Sequence, residues 1–245
     1  MKSIAFASRN LKEIIRDPLS ILFSIGLPLF LLILLGFIGK NAGVSIFQIE
    51  NFLPGIIVFS FAFISLFSGL LISNDRNNSF LMRLFASPLS SLDYIIGYSL
   101  PLLIFATLQF IICVIAAIFL GLPVSLINVI FTFILTIPVA ILFIALGLIL
   151  GLIFNNKQVG GIASIFVNLV AFTNGMWFSW EVVGPIFKTI AYVLPFASAV
   201  DMLRFALQGN YLQILSPFLL VIIYMFILIL IAAWAFNNTI TNENI

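Results

Sequence analysis

The chain has 245 residues, of which 63% are hydrophobic and 7% charged, where a soluble domain carries about a quarter charged residues. So few charges cannot cover a water-soluble fold of this size; the composition is that of a multi-spanning membrane protein and excludes most soluble enzyme classes. Histidine is absent, which removes histidine acid–base chemistry and the commonest metal ligand, and the one cysteine, Cys113, allows neither an intrachain disulfide nor a thiolate cluster.

In chain order, Lys2 to Asp17 reads as an amphipathic helix. At about 100° per residue, Ile4, Ala7, Leu11, Ile14 and Ile15 share one side and Lys2, Arg9, Lys12, Glu13 and Arg16 the other, with Phe6 off the pattern. Such a helix lies in the headgroup plane with its basic face to anionic lipid, or serves as a plain positive anchor that orients the chain. Charge-free runs of about 20 residues, the length that crosses the hydrocarbon, place spans at 19–39 and 52–73. From Tyr94 to Asn156 the chain is uncharged, too long a run for one span, and Gly121-Leu122-Pro123 divides it into spans at 94–120 and 126–154. Residues 159–178 and 217–236 complete six. Pro28, Pro54, Pro101 and Pro138 invite kinks whose freed carbonyls neighbours re-satisfy, and Gly147 and Gly151 offer a close helix contact.

Two stretches between spans carry most of the remaining information. Residues 74–93 are strongly hydrophilic at their start, and Asn77, Asn78 or Ser79 can cap a short helix from Phe80 to Ala86 that stops before Pro88. With Phe80, Leu81, Met82, Leu84 and Phe85 it exposes more apolar surface than a loop should, so it folds back on the membrane or is covered by a partner protein. Residues 179–216 carry Glu181, Lys188, Asp201 and Arg204 and are cut by Pro185 and Pro195 into pieces of about ten residues, which suit re-entrant or interfacial helices rather than crossings. Asp201 and Arg204, three apart on a helix, can pair with each other or with Glu181 and Lys188.

The expected fold class is therefore all-α: one polytopic membrane domain over 1–245, with an interfacial helix at 1–17, six transmembrane helices, and re-entrant helices before the last. Six spans put both termini on one side. With that side cytoplasmic, Lys2, Arg9, Lys12, Arg16, Arg76, Arg83 and Lys157 lie inside and Lys40, Lys188 and Arg204 outside, which favours a cell-membrane protein with both ends in the cytoplasm. The drawn spans hold no charge, so neither ion coupling nor membrane proteolysis by carboxylates has a carrier. No Gly-x-x-x-x-Gly-Lys-[Ser/Thr] loop is present, so any ATP hydrolysis must come from another polypeptide. No catalytic, metal-binding or cofactor-binding residue and no nucleic acid partner is expected. The few polar side chains along the spans, among them Gln109, Asn168 and Asn174, suit the path of a hydrophobic or amphipathic cargo.

Asp75-Arg76, Arg83-Leu84 and Ala86-Ser87-Pro88-Leu89-Ser90 resemble the loop between the second and third spans of type-2 ABC exporter permeases. Ser79 stands where that loop usually has Gly, and Asn77 and Met82 where acids are frequent. Gly175 with Trp177-Phe178, then Gly184-Pro185, Leu194-Pro195 and Asp201-x-Leu203-Arg204, resembles the succession after the family's fifth span, with Ser179 in place of a proline. The chain is most similar in look to daunorubicin-exporter and nodulation-factor-exporter permeases. The resemblance implies a half-transporter: two permease copies, as homodimer or heterodimer, beside two separate ABC ATPase subunits that bind ATP and Mg. It further implies that Asp75, Arg76, Phe80, Leu81, Arg83, Leu84, Phe85 and Pro88 form the ATPase-coupling segment, and that Glu181, Lys188, Pro195, Asp201 and Arg204 belong to the outer re-entrant segment. Drug, lipid or lipid-linked glycan is the cargo class expected. A membrane subunit with a role in envelope assembly or signalling, or an autonomous channel, is the alternative.

Overall fold

A computed structural model describes residues 2–78, 91–123 and 125–243, and among them every regular element is helical. α1 (Lys2–Ile15) precedes α2 (Pro18–Ala42), in which Leu22–Gly26 winds as a π-helix. α3 (Ile49–Asn77), α4 (Ser91–Phe119), α5 (Leu126–Ile153) and α6 (Asn156–Thr173) follow. The short α7 (Trp180–Val183), then α8 (Pro185–Val193), α9 (Pro195–Gln208) and α10 (Leu215–Glu243) complete the order. The chain is an all-α polytopic membrane protein: α2, α3, α4, α5 and α10 are each long and apolar enough to cross a bilayer, and α8 with α9 forms an apolar pair bent by 91°.

α6 occupies the place of the fifth expected span but stops at Thr173 instead of continuing to 178. Asn155 and Gln158 cap its start reciprocally. Its end is set by Asn174, whose Nδ2 donates to the Gly55 carbonyl at 3.2 Å and whose Oδ1 accepts from the Met176 amide at 3.0 Å, and by Gly175, which turns the chain at φ +73°. At about 27 Å, α6 just approaches the ~30 Å hydrocarbon thickness.

α3 is the shaft of the bundle, buried along most of its length and packed on α2, α4, α5, α6 and α9. Its closest neighbour is α5. A methyl group on Gly147 would overlap the Ser65 carbonyl, and one on Gly151 the Gly69 carbonyl, so only glycine lets these backbones meet. Between apolar helices in lipid, such close packing replaces the hydrophobic drive.

Long-range hydrogen bonds set the direction of each helix. At one end, Arg9 of α1 meets Asp75 of α3, Asn10 meets Gly97 of α4, Arg76 meets Leu152 of α5, and Ser73 meets Asn156 of α6. At the far end, Asn51 meets Arg204 of α9, Asn128 of α5 meets Leu207, and Gly55 meets Asn174. Asn51 and Asp75 lie on one helix about 36 Å apart, close to a membrane's thickness. α10 starts beside Asn128 through Tyr211, just before it, and ends with Phe236 stacked on Tyr94 at 6.3 Å. The N-terminal helix and the end of α10 therefore share one face. α8 and α9 start and finish at the other. Their junction reaches inward, where the Tyr224 hydroxyl donates to the Val193 carbonyl at 2.5 Å and Phe196 stacks on Phe143 at 5.5 Å, so the pair enters and leaves by the far end as a re-entrant hairpin does.

Candidate functional site

The α1 end holds a buried ionic cluster built around Asp75, which is 2% exposed in the last turn of α3. Arg9 grips its carboxylate with both terminal nitrogens, at 2.7 and 2.8 Å, and the Tyr98 hydroxyl of α4 donates to it at 2.8 Å. A carboxylate taken out of water costs several kcal/mol unless paired and hydrogen-bonded, and these three donors offset that cost. Arg9 also pairs with Glu13 at 2.8 Å and donates to Asn10, whose own amide donates to the Gly97 carbonyl at 3.0 Å. Burial works against the Arg9 charge, but the hydrogen bond and charge of Asp75, with Glu13, outweigh it and hold the guanidinium above its ordinary pKa. Burial pushes the Glu13 carboxyl up; Arg9 opposes this and Asp75 adds to it.

The seating of α1 departs from its apolar periodicity. Phe6, Ala7, Asn10 and Ile14 are buried, whereas Ile4 and Ile15 are exposed. The reason is local: Gly97 leaves a bare stretch of α4 into which the Phe6 ring fits, and Phe6 meets Tyr98 edge to face at 4.9 Å. That rotation turns Arg9 from the expected basic face inward onto Asp75.

Arg76 also points into the bundle, donating to the Leu152 carbonyl where α5 ends and the helix dipole favours a cation. Asp75 and Arg76 thus anchor the start of the 74–93 segment. Tyr94, 1% exposed and stacked on Phe236, anchors its end. Phe80, Leu81, Arg83, Leu84, Phe85 and Pro88 lie outside the described residues.

At the far end Arg204 donates to Asp201 at 2.8 Å and to the Asn51 carbonyl at 3.3 Å, while the Tyr192 hydroxyl donates to Asp201. Of the pairings open to these charges, the one within α9 is formed. Pro195 opens α9 at the sharp bend, Lys188 lies with its ammonium 5.8 Å from the Tyr192 ring centre, and Glu181 belongs to α7.

The three polar residues expected along a cargo path do not line one cavity. Gln109 is buried and donates to the Ser24 carbonyl, the oxygen at which the Pro28 position would aim an amide if it had one. Asn174 is buried and ends α6. Asn168 alone faces an open groove, of about 450 Å³, with Phe23, Leu27, Phe59, Phe63 and Trp177 around it. Sequence reasoning passed over Tyr98, Tyr192, Asn10 and Asn51; a tyrosine inside an otherwise apolar span was the one visible signal.

The two polar clusters lie one at each end of α3, in a multi-spanning membrane protein whose α8–α9 pair forms a bent hairpin at the face opposite Asp75. The ABC-2 type transporter family model matches residues 3–207, and the chain belongs to that family of ABC transporter membrane subunits, which work with ABC ATPases. No curated protein matches the chain significantly.

Proposed function

We propose that this chain is the permease of an ATP-driven exporter. A separate ATPase docks on the 79–90 segment at the cytoplasmic face, and a hydrophobic or amphipathic cargo leaves at the α8–α9 face. The observation that carries the reading is the Asp75 cluster. By tying α1, the end of α3 and the start of α4 together, it makes any push on the loop between α3 and α4 a push on two spans and the surface helix at once. Coupling needs a rigid element whose position differs between two states, and this one is held by ionic bonds rather than by packing alone.

The groove around Asn168 supports the cargo class. It is lined by aromatic and aliphatic side chains with Ser164 and Asn168 as its polar members. On the same helix Gly160 and Gly161 have open space where a side chain would go, a face better suited to a second permease copy than to lipid tails. The test is flux in proteoliposomes. Cargo should accumulate only when this chain, its ATPase and ATP are all present; flux from the chain alone would mark an autonomous channel.

A further inference from the structure

On the Asp75 side of the bundle, α4 and α10 both lean on α5 and meet each other where Phe236 of α10 packs against Tyr94 and Tyr98. Deeper in the membrane they part, and a groove of about 290 Å³ opens between them. Ile144, Ala145 and Leu148 of α5 and Ala232 of α10 form its floor, each almost without exposure, and the two alanines give it depth. Ile96 and Leu100 stand on its rim, 48% and 37% exposed, on a face of α4 that continues outward through the exposed Ile104 and Leu108. From Ile95 to Leu103 the groove runs about 12 Å along α4. It shares no residue with the groove around Asn168.

Size and lining select the guest. A second helix, about 10 Å across with its side chains, would need about three times this volume over the same length. An apolar cavity stays dry and takes apolar molecules. A single unbranched hydrocarbon chain meets both conditions. Ser99 is the one polar side chain in the lining, and it narrows the choice. Ser24, Ser60, Ser73 and Thr107 each donate to a carbonyl three or four residues back, whereas the half-buried Ser99 makes no hydrogen bond among the described residues. It follows Tyr98, whose hydroxyl reaches Asp75, and so lies at the edge of the hydrocarbon layer. The ester carbonyls of glycerolipids lie at that depth and their acyl chains run inward from it, as the groove does from Ser99 to Leu103, Ile141 and Ile229.

We propose that this groove binds one acyl chain of a glycerolipid from the leaflet on the Asp75 side, with the Ser99 hydroxyl donating to its ester carbonyl. Gly97 and Tyr98, on the other side of α4, hold the Asp75 cluster, so a bound chain braces that helix from behind. The site is independent of the transport reading, because binding is read with no ATPase and no cargo present.

The test is native mass spectrometry of the purified full chain from dodecyl maltoside. Dioleoyl phosphatidylethanolamine is titrated in one arm and its ether-linked analogue, which lacks the ester carbonyls, in the other. The zwitterionic headgroup keeps the probe from the exposed cations Lys12 and Arg16 of α1. One retained lipid per chain is expected, bound about fivefold more tightly as ester than as ether, the worth of one hydrogen bond. Ser99→Ala should lower the affinity for the ester to that for the ether and leave the ether unchanged. Ala145→Phe, which fills the floor, should remove both; if that variant fails to fold, the Ser99 comparison decides alone. Equal affinity for ester and ether in the parent chain, or an undiminished preference in the Ser99→Ala chain, overturns the site, as does a folded Ala145→Phe chain that retains the lipid. A lipid-free dimer of the parent that Ala145→Phe splits would assign the groove to a second copy and overturns it too.

Discussion

Asp75 is a carboxylate with almost no exposure, and its donors determine what it can do. Arg9→Gln leaves that charge with Tyr98 as its remaining partner named here, and breaking a buried pair costs about 3–5 kcal/mol, toward the low end here because Arg9 is partly exposed. Arg9→Gln and Asp75→Asn should each lower the thermal unfolding temperature in micelles, and the double variant should lose clearly less than the two losses added. Additive losses would show that the pair is not coupled. This cluster was only half legible in advance. Asp75 and Arg76 stand out as charges beside a span, but the partner of Asp75 lies 66 positions away on a helix whose periodicity assigns Arg9 to the lipid side. A single position without a side chain, Gly97, rotates that helix, and nothing in the local pattern of α1 announces it.

Element boundaries and contacts follow from a few small or polar residues. Gly151→Val should force α3 and α5 apart and cost about 1–3 kcal/mol as overpacking, read as a lower unfolding temperature and a broadened elution profile. A fully stable variant would mean that the helices meet elsewhere. Gln109→Leu should cost about 1–3 kcal/mol by leaving the Ser24 carbonyl unpaired, and Pro28→Ala in the same chain should recover part of it by restoring an amide at position 28. Equal loss with and without Pro28→Ala would count against that link. At this scale much was readable beforehand: five long apolar helices follow from charge-free length, the glycine contact from a four-residue spacing, and the bent α8–α9 pair from Pro195 between two short apolar pieces, whereas the fifth expected span falls on the shorter α6. What could not be read was the use of polar groups within spans. Gln109 and Asn174 have the composition of a cargo path, yet Gln109 is spent on the Ser24 carbonyl that faces Pro28, and Asn174 on the Gly55 carbonyl of α3 and the Met176 amide just past α6, because the three-dimensional neighbour of a backbone group is invisible in one dimension.

Across the whole molecule, α3 joins two polar clusters, and the chain's described ends share the face that carries Asp75. A cysteine at Lys12 should react with a membrane-impermeant maleimide only after the cytoplasmic side is opened, and one at Lys188 without opening; Cys113 is buried and gives little background. Labelling in the reverse pattern would invert the topology. The central claim is that force from a separate ATPase enters through the loop between α3 and α4. Its most direct test is cargo-stimulated ATP hydrolysis in proteoliposomes that hold this chain and its ATPase, with Phe80→Ala and Leu84→Ala combined. The expected result is normal membrane insertion and unfolding temperature with stimulated hydrolysis reduced about tenfold, the loss of roughly 1.4 kcal/mol of coupling; full coupled turnover in the double variant would contradict it.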